Sequence, residues 1–307
     1  MVFLTKFEFL LFSALFGLIF GSFINVLIYR IPKIIFHEYD LAIIDYLKSH
    51  LSNSLLRDIK PIKVRKKIRS LIRSANDTQE YNIFLPSSYC PKCKTKIRFF
   101  NNIPIISYLL LKGKCRACSS PIGIVYPMVE SISTFGSVGL AYLMLIEHDS
   151  ATLSLILNLI FFDILFMLSI ALFVIDCRYK LLPDALTLPL GFLGIIFCAF
   201  KPSHIEINES IFGGLVGFSV LWILFWSHKF FSGKEGLGRG DIKLTGALGA
   251  WVGISNIMNV LLIASVLGLL ASGLMMFLKK HSYNQTIAFG PFLIIGTHFI
   301  IIKEFLL

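Results

Sequence analysis

Residues 153–176 form the apolar run LSLILNLIFFDILFMLSIALFVID, which decides the fold class. An α-helix of about 20 apolar residues crosses the roughly 30 Å hydrocarbon core of a bilayer, so this run is long enough to span a membrane. The whole chain has a similar character, because its 307 residues are 56% hydrophobic and 15% charged, with a mean hydropathy of +0.77. Soluble domains carry about 25% charged residues. We therefore expect an all-α integral membrane protein.

Seven further apolar stretches predict additional spans, which makes about eight transmembrane helices in all. The first stretch, 7–29, is too long for the core of a signal peptide and lacks a basic segment before it, so we expect it to be retained. The others lie at 124–146, 185–200, 211–226, 242–254, 257–278 and 287–302. Several are short for a full crossing, so we expect tilted helices, helices that continue into polar flanks, or a bilayer thinned around a cavity.

The basic residues predict how these helices are oriented. With the N-terminus outside, all of the 29 Lys and Arg residues except Lys6, Lys201 and Lys303 lie in or beside cytosolic loops, as the positive-inside rule requires. Loops that face anionic lipid explain the net charge of +11 better than nucleic acid does. The predicted division is a first transmembrane helix at 1–29, a cytoplasmic basic region at 30–123 and a seven-helix membrane domain at 124–307. Within the basic region, residues 36–73 have helix-compatible apolar spacing.

Four of the six cysteines form two CxxC pairs, CPKC at 90–93 and CRAC at 115–118. In a reducing compartment, two such pairs about 20 residues apart predict a zinc site in which Cys90, Cys93, Cys115 and Cys118 supply four thiolates. Four thiolates leave no open position for water, so we expect a structural zinc in the cytoplasmic region between helices 1 and 2. Disulfides would be expected instead only if this segment lay outside the cytosol.

Two aspartates at the ends of predicted spans form a candidate catalytic pair. Asp176 ends the third span and Asp241 begins the sixth, so the predicted topology places both at the cytoplasmic membrane boundary. Ionisable groups at membrane depth are costly and usually functional. Two carboxyl groups held close share a proton, so one accepts a proton from water while the other donates to a carbonyl, as in aspartyl proteases.

The glycines that precede Asp241, in GLGRGD at 236–241, have two interpretations. Without side chains they would let a substrate backbone approach closely, and they would place Asp241 at a helix start, where the helix dipole favours negative charge. The alternative is an ordinary glycine-rich loop with an aspartate that caps a helix.

Three other acidic residues lie near the predicted spans. Asp184 follows Pro183 and is predicted to cap the next helix. Asp163, about 20 Å along the same helix from Asp176, is predicted to be a buried hydrogen-bonding residue. Glu130 is left open between two roles, since it could line the same cytoplasmic cavity as the aspartates or pack between helices.

Five sequence motifs, in the same order and over nearly the whole chain, resemble those of the bacterial type IV prepilin peptidases, which are GxGD aspartyl proteases. They are GSFINVLIYRIP (21–32), the segment from CPKC to YPMVE (90–130), DCRYKLLPDALTLP (176–189), GLGRGDIKLTGALGAWVG (236–253) and FGPFL (289–293).

The resemblance implies an enzyme of the bacterial inner membrane. Such enzymes cleave the basic leader of type IV prepilins or type II secretion pseudopilins on the cytoplasmic side, after a glycine, and then N-methylate the new N-terminus with S-adenosylmethionine. The family's catalytic pair falls on Asp176 and Asp241, and its zinc ligands fall on the four cysteines of the CxxC pairs. Membrane lipid and a pilin-like protein are the expected partners, and nucleic acid is not. No residue is assigned to the methyl donor.

The chain departs from the family pattern at three places. The segment between Arg30 and Cys90 is long, Asn101 replaces an acidic residue before NIP, and Ala288 replaces a proline before FGP. The first two departures lie in the cytoplasmic region, so they put methylation in more doubt than cleavage.

Three other functions are compared with this interpretation. A presenilin-like GxGD protease would carry its first aspartate in a mid-helix YD, whereas Asp176 lies at a helix end. A proton-coupled transporter could use Asp163, Asp176 and Asp241 as a relay, but no internal repeat is visible. A nucleic-acid binder would present aromatic residues as a stacking platform, which the basic region lacks.

Overall fold

A computed structural model of the protein describes residues 4–50, 82–83, 88–97, 104–146, 152–200, 205–278 and 287–303. In chain order their helices are α1 (Lys6–His50), α2 (Ile106–Leu110), α3 (Val125–Met144), α4 (Leu153–Tyr179), α5 (Asp184–Ala199), α6 (Ile207–Ser232), α7 (Arg239–Phe277) and α8 (Gly290–Ile301). Within the described ranges no β-strand forms, and extended pairing is limited to two isolated bridges. The predicted all-α architecture is confirmed.

Four helices are long and apolar enough to cross a membrane: α1, α4, α6 and α7. The helices α5 and α8 are shorter but apolar. Every predicted span coincides with a helix, and α6 extends beyond its apolar centre into polar flanks, as expected for a short span. The eight predicted spans correspond to seven helices, because 242–254 and 257–278 both fall within α7.

Helix α7 is interrupted at Gly253, where φ is 75° and ψ is 173°. Glycine adopts this backbone conformation without the steric cost that a side chain would bring. The break divides α7 into an N-terminal arm, which begins at Arg239, and a C-terminal arm, which ends at Phe277. It accounts for the two separate apolar stretches in the sequence.

Helices α6 and α7 are in backbone contact through glycines. A Cβ added at Gly213 would lie 2.4 Å from the carbonyl oxygen of Gly249, and a Cβ added at Gly249 would lie 2.3 Å from that of Gly213. One turn away, the Ser210 hydroxyl donates to the carbonyl of Ala250 at 2.6 Å. Small residues allow such close approach between membrane helices. The N-terminal arm of α7, which carries Asp241, is thereby fixed against α6.

Helix α1 continues well past its predicted span of 7–29. It passes through Pro32 and ends at His50, so residues 30–50 of the predicted cytoplasmic region prolong the first helix. Its membrane portion packs against α3, where a Cβ at Gly17 would lie 2.8 Å from the carbonyl oxygen of Ser133. The remainder of the stretch predicted to be helical, 51–73, lies outside the described residues.

Candidate active site and metal centre

The two aspartates of the predicted pair lie at the ends of different helices. Asp176 is in the last turn of α4, and Asp241 is in the first turn of α7, so its predicted place at a helix start is confirmed. Both side chains are buried, with exposed fractions of 4% and 9%. Helix α8 packs against both α4 and α7. The start of α8 therefore lies beside both carboxyl groups.

Gly290, the first residue of α8, lies beside the two carboxyl groups. Its backbone N–H faces the side chains of both Asp176 and Asp241. A Cβ at this position would lie 2.6 Å from Oδ2 of Asp176, which is closer than real Cβ atoms approach a neighbour. Gly290 belongs to the FGPFL motif, but no local signal in the sequence places it beside the aspartates.

The glycines before Asp241 make room for the protein's own atoms. A Cβ at Gly238 would lie 2.8 Å from Oδ2 of Asp241, and one at Gly240 would lie 2.9 Å from the Cβ of Leu182. A Cβ at Gly236 would lie 2.6 Å from the ring of His228. Within the protein, the glycines permit close approach of the loop to the Asp241 carboxyl group. Gly236 and Gly238 are also exposed, so close approach of a substrate backbone to this loop stays a prediction.

Each carboxyl group of the pair keeps one oxygen without a hydrogen bond. In the described part of the chain, Oδ2 of Asp176 and Oδ1 of Asp241 are buried and have no hydrogen-bond partner. Buried polar atoms nearly always have partners, and exceptions call for an explanation such as catalysis. The two oxygens can accept a hydrogen bond from a substrate or, when protonated, donate one.

Asp184 does not cap α5, so that prediction is wrong. The N-cap is Pro183, and Asp184 is the first residue of the helix. Its carboxylate instead pairs with Nζ of Lys243 at 2.7 Å, in an exposed ion pair. The fold brings this lysine from α7 to the start of α5, which the local sequence around Asp184 does not reveal.

Asp163 is a buried hydrogen-bonding residue, as predicted. Its side chain is fully buried, and its Oδ2 accepts a hydrogen bond from the Ser137 hydroxyl of α3 at 2.7 Å. The same hydroxyl lies 2.9 Å from the carbonyl oxygen of Ser13 in α1. Asp163 therefore helps to join α1, α3 and α4.

The four cysteines of the predicted zinc site lie together. The ligand atoms of Cys90, Cys93, Cys115 and Cys118 are all within 4.8 Å of one another, and the sulfurs of Cys90 and Cys118 are 3.9 Å apart. A tetrahedral site with metal–sulfur bonds of about 2.3 Å has sulfurs about 3.8 Å apart. The cluster therefore fits a metal ion held by four thiolates.

The two CxxC pairs lie in turns of the same shape, which we call the knuckles (residues 88–97 and 113–122). In the first, the N–H of Lys94 donates to the carbonyl of Cys90 at 2.9 Å, and in the second, the N–H of Ser119 donates to that of Cys115 at 2.9 Å. Lys94 and Ser119 both have positive φ, 60° and 55°. The same backbone turn thus occurs twice, and each copy presents two cysteine sulfurs.

The first knuckle also favours the thiolate form that metals bind. The backbone N–H groups of Cys93 and Lys92 face the sulfur of Cys90 and, with the Ser120 hydroxyl, lower the pKa of its thiol to about 6. Hydrogen bonds to a thiolate stabilise its negative charge.

Glu130 lies in a separate place from the aspartate pair. It lines a cavity of about 520 Å³ between α1, α3 and the knuckles, and neither Asp176 nor Asp241 lines that cavity. Its Oε2 accepts a hydrogen bond from the N–H of Ile105 at 2.8 Å, and its Oε1 accepts one from Nδ2 of Asn25 at 3.4 Å. Glu130 therefore lines a cavity, as one of its two predicted roles required, but a different cavity from that of the aspartates.

Two family models match the chain in succession. The N-terminal domain of bacterial A24 peptidases matches residues 15–144, which include most of α1, the knuckles and α3. The type IV leader peptidase family matches residues 163–273, which include Asp176 and Asp241. The metal centre and the aspartate pair therefore fall in different family segments.

Relatives match over most of the chain. Proteins named prepilin leader peptidase/N-methyltransferase from Aeromonas salmonicida and Neisseria gonorrhoeae are 35% and 36% identical over 282 and 287 residues. The matches cover 92% of this chain in both cases, and 86% and 87% of those proteins. The protein of the same name from Pseudomonas aeruginosa is 33% identical, with coverage of 94% and 88%. No solved structure gives a significant match. With this identity over nearly its full length, the chain belongs to the type IV leader peptidase family.

Proposed function

We propose that this protein cleaves the leader of a prepilin or pseudopilin and then methylates the new N-terminus; its relatives are named prepilin leader peptidase/N-methyltransferase. The observation that carries the proposal is the placement of Asp176 and Asp241. They lie at two helix ends, both buried, with the N–H of Gly290 facing both carboxyl groups.

The two aspartates are proposed to act as an acid and a base. Asp241 lies at the N-terminal end of α7, where the helix dipole favours negative charge, whereas Asp176 lies at the C-terminal end of α4, where it does not. We assign the base to Asp241, which accepts a proton from the attacking water. Asp176 is the acid, which donates a proton to the oxygen of the scissile carbonyl.

The proposed substrate has a short basic leader followed directly by an apolar helix. A peptide bond inside a continuous helix in lipid is shielded by that helix's own hydrogen bonds. A glycine at the junction of leader and helix can unwind at low cost and present an extended backbone. Because both aspartates lie at helix ends, we expect cleavage at this junction.

The proposed location is a bacterial inner membrane, with the N-terminus outside and the aspartates and knuckles on the cytoplasmic side. The support is the concentration of Lys and Arg in the loops at that end. The proposed division remains a first transmembrane helix at 1–29, a cytoplasmic region at 30–123 and a membrane domain at 124–307. Membrane lipid is a partner in this proposal, and nucleic acid is not.

We propose zinc as the metal of the four-cysteine centre, because four thiolates in a tetrahedral arrangement are typical of structural zinc. Held by the four sulfurs, it would lock the two knuckles to each other. S-adenosylmethionine is the proposed methyl donor, and when bound it supplies the methyl group.

A model prepilin with a movable glycine tests cleavage. In one form the glycine lies at the junction of leader and apolar helix, and in the other it lies two helical turns inside the apolar segment. We expect the purified full chain to cleave only the junction form, and S-adenosylmethionine to add one methyl group to the new N-terminus, as read by mass spectrometry. Equal cleavage of the two forms would favour a presenilin-like protease, and no cleavage of either would contradict the proposal.

A further inference from the structure

The cavity between α1, α3 and the knuckles has no part in the proposed cleavage. Its volume of about 520 Å³ is within the range of about 300–1,000 Å³ that is typical of small-molecule sites. The lining residues that matter here are Asn25 of α1, Tyr108 of α2, Gly123, and Tyr126 and Glu130 of α3. Polar groups and aromatic rings from several elements therefore converge on one space large enough for a small molecule.

Glu130 gives this cavity a buried negative charge. Its side chain is only 9% exposed, and its two oxygens accept hydrogen bonds from the backbone of Ile105 and the amide of Asn25. Among the described residues, no Lys, Arg or His forms an ion pair with it. A buried carboxylate without a cation is costly. The basic residues Arg30, Lys96 and Arg116 also line the cavity. A ligand that carries both a cation and a carboxylate would therefore meet opposite charges on the cavity wall.

The tyrosines of the cavity suit the same kind of ligand. The rings of Tyr108 and Tyr126 line it together with Glu130. The faces of aromatic rings attract cations, and they also stack with nucleobases. A ligand that carries both a positive charge and a purine would use the carboxylate and the rings at once.

We propose that this cavity binds the methyl donor S-adenosylmethionine, with Glu130 as the anion that recognises its positively charged sulfonium. The inference rests on the proposed methyltransferase function, and it assigns residues to a ligand whose site the sequence left unassigned. The ligand combines a sulfonium cation, a carboxylate and an adenine ring, which match Glu130, the basic residues and the tyrosines that line the cavity.

The position of the cavity also suits a reaction on the cleaved product. Tyr29 and Arg30 of α1 line the cavity, and Phe36, further along α1, lies against the ring of Tyr179 at the end of α4, with the ring centroids 6.0 Å apart. Asp176 is in that same last turn of α4. The cavity and the aspartate pair therefore lie toward the same end of the helix bundle. A new N-terminus released at the pair would therefore lie at the same end of the bundle as the donor.

Binding of two ligands, the methyl donor and its demethylated product, to the purified full chain tests the proposal. S-adenosylmethionine carries the sulfonium charge, and S-adenosylhomocysteine, its neutral thioether, does not. We expect Glu130→Gln to weaken S-adenosylmethionine binding about 10- to 100-fold, the usual worth of a hydrogen bond or contact to a charged group, and to weaken S-adenosylhomocysteine binding much less. Glu206→Gln, the same change at an exposed position outside the cavity, should alter neither affinity.

A second variant tests the space rather than the charge. Gly123 lines the cavity, and a Cβ there would lie 3.7 Å from the ring of Tyr126, so a large side chain at this position would occupy space beside that ring. Gly123→Phe should weaken binding of both ligands. Metal content measured on each variant shows whether the knuckles remain folded.

Three results would overturn the inference. Affinities unchanged in both cavity variants would mean that the donor binds elsewhere, while the proposed methylation would stand. A basic leader peptide that loses affinity on Glu130→Gln, with the donor unaffected, would make the cavity a leader-binding site. If the unaltered chain bound neither ligand, the methyltransferase function itself would be contradicted. Cleavage is measured separately, so the proposed peptidase function would not be affected.

Discussion

The aspartate pair and the cavity beside the knuckles are built in opposite ways. Around Asp176 and Asp241, backbone and carboxyl groups approach so closely that a Cβ at Gly238 or Gly290 would overlap a carboxyl oxygen. Between α1, α3 and the knuckles, about 520 Å³ of space remains. The family models divide the chain along the same line, at 15–144 and 163–273. Close packing suits two carboxyl groups that must stay in register, whereas an open cavity suits a ligand that enters and leaves.

The two regions should therefore differ in how strongly a substitution affects function. In membrane helices, association depends on close packing and interhelical hydrogen bonds rather than on the hydrophobic effect. One added methyl group at the aspartate pair should therefore disturb function. In the cavity, a change of charge or a large change of volume is required for a comparable effect.

The largest expected effect is the loss of cleavage when either aspartate of the pair is replaced. Asp176→Asn and Asp241→Asn should each lower the rate of leader cleavage by at least about 10³-fold, because an amide can neither accept the proton of water nor donate as an acid. Cleavage of a model prepilin by the purified variants measures this. Asp184→Asn, in the exposed pair with Lys243, is the matched control and should retain most activity. Substantial cleavage by either variant of the pair would contradict the two-aspartate mechanism.

The next prediction separates the metal centre from the aspartate pair. The unaltered chain should hold about one zinc ion, and Cys115→Ser should lose it, because a hydroxyl is a poor substitute for a soft thiolate and three ligands bind more weakly than four. Cys177→Ser, a cysteine outside the cluster, should keep the metal. Elemental analysis of the purified proteins gives the result. Zinc retained by Cys115→Ser, or none in the unaltered chain, would exclude the proposed centre.

A third prediction tests close packing directly. Gly290→Ala should lower cleavage about 100-fold, because its Cβ would lie 2.6 Å from Oδ2 of Asp176, and displacement of a catalytic group by about 1 Å can cost that much. Gly139→Ala makes the same change in α3, where a Cβ would meet nothing within 4 Å, and should leave cleavage unchanged. Similar rates for the two alanine variants would mean that the site near α8 is less rigid than its contacts indicate.

Much of this fold could be predicted from the sequence, because apolar length and residue spacing are local signals. The spans, the grouping of the four cysteines and the place of Asp241 at a helix start all follow from neighbours in the chain. Two features depend on contacts between distant segments. Gly290 faces the aspartates only because α8 packs on α4 and α7, and the pairing of Asp184 with Lys243 joins residues 59 apart in sequence.

The break at Gly253 could be predicted only in part from local sequence signals. The sequence shows two apolar stretches there, which predicted two spans, but the backbone conformation of one glycine decides that they belong to one interrupted helix. The packing of Gly213 against Gly249, close to the break, involves the other helix of the pair and gives no signal in the local apolar pattern.

The smallest expected effect concerns the loop that leads to Asp241. Glu235 accepts hydrogen bonds from Nζ of Lys229 at 2.9 Å and from Nη2 of Arg239 at 3.0 Å, so it joins the end of α6 to the start of α7. The hydrogen bond from Lys229, followed by that from Arg239, lowers the pKa of Glu235. Because the folded pKa is lowered, the bridge stabilises the loop above the unfolded pKa of glutamate, about 4.3, and is lost as the pH falls through the folded value.

The side chains of Lys229, Glu235 and Arg239 are 36%, 49% and 67% exposed, and such exposed ion pairs contribute little because water and salt screen them. Glu235→Gln should therefore reduce leader cleavage only slightly, by no more than about fivefold. The reduction should be constant between about pH 6 and pH 8, because the glutamate stays ionised throughout that window. Rates of Glu235→Gln and of the control Glu206→Gln, measured across it, check both points. A loss as large as that expected for Gly290→Ala would show that the loop is held by this bridge rather than by its glycines, and the contrast between a closely packed site and an open cavity would then need a different cause.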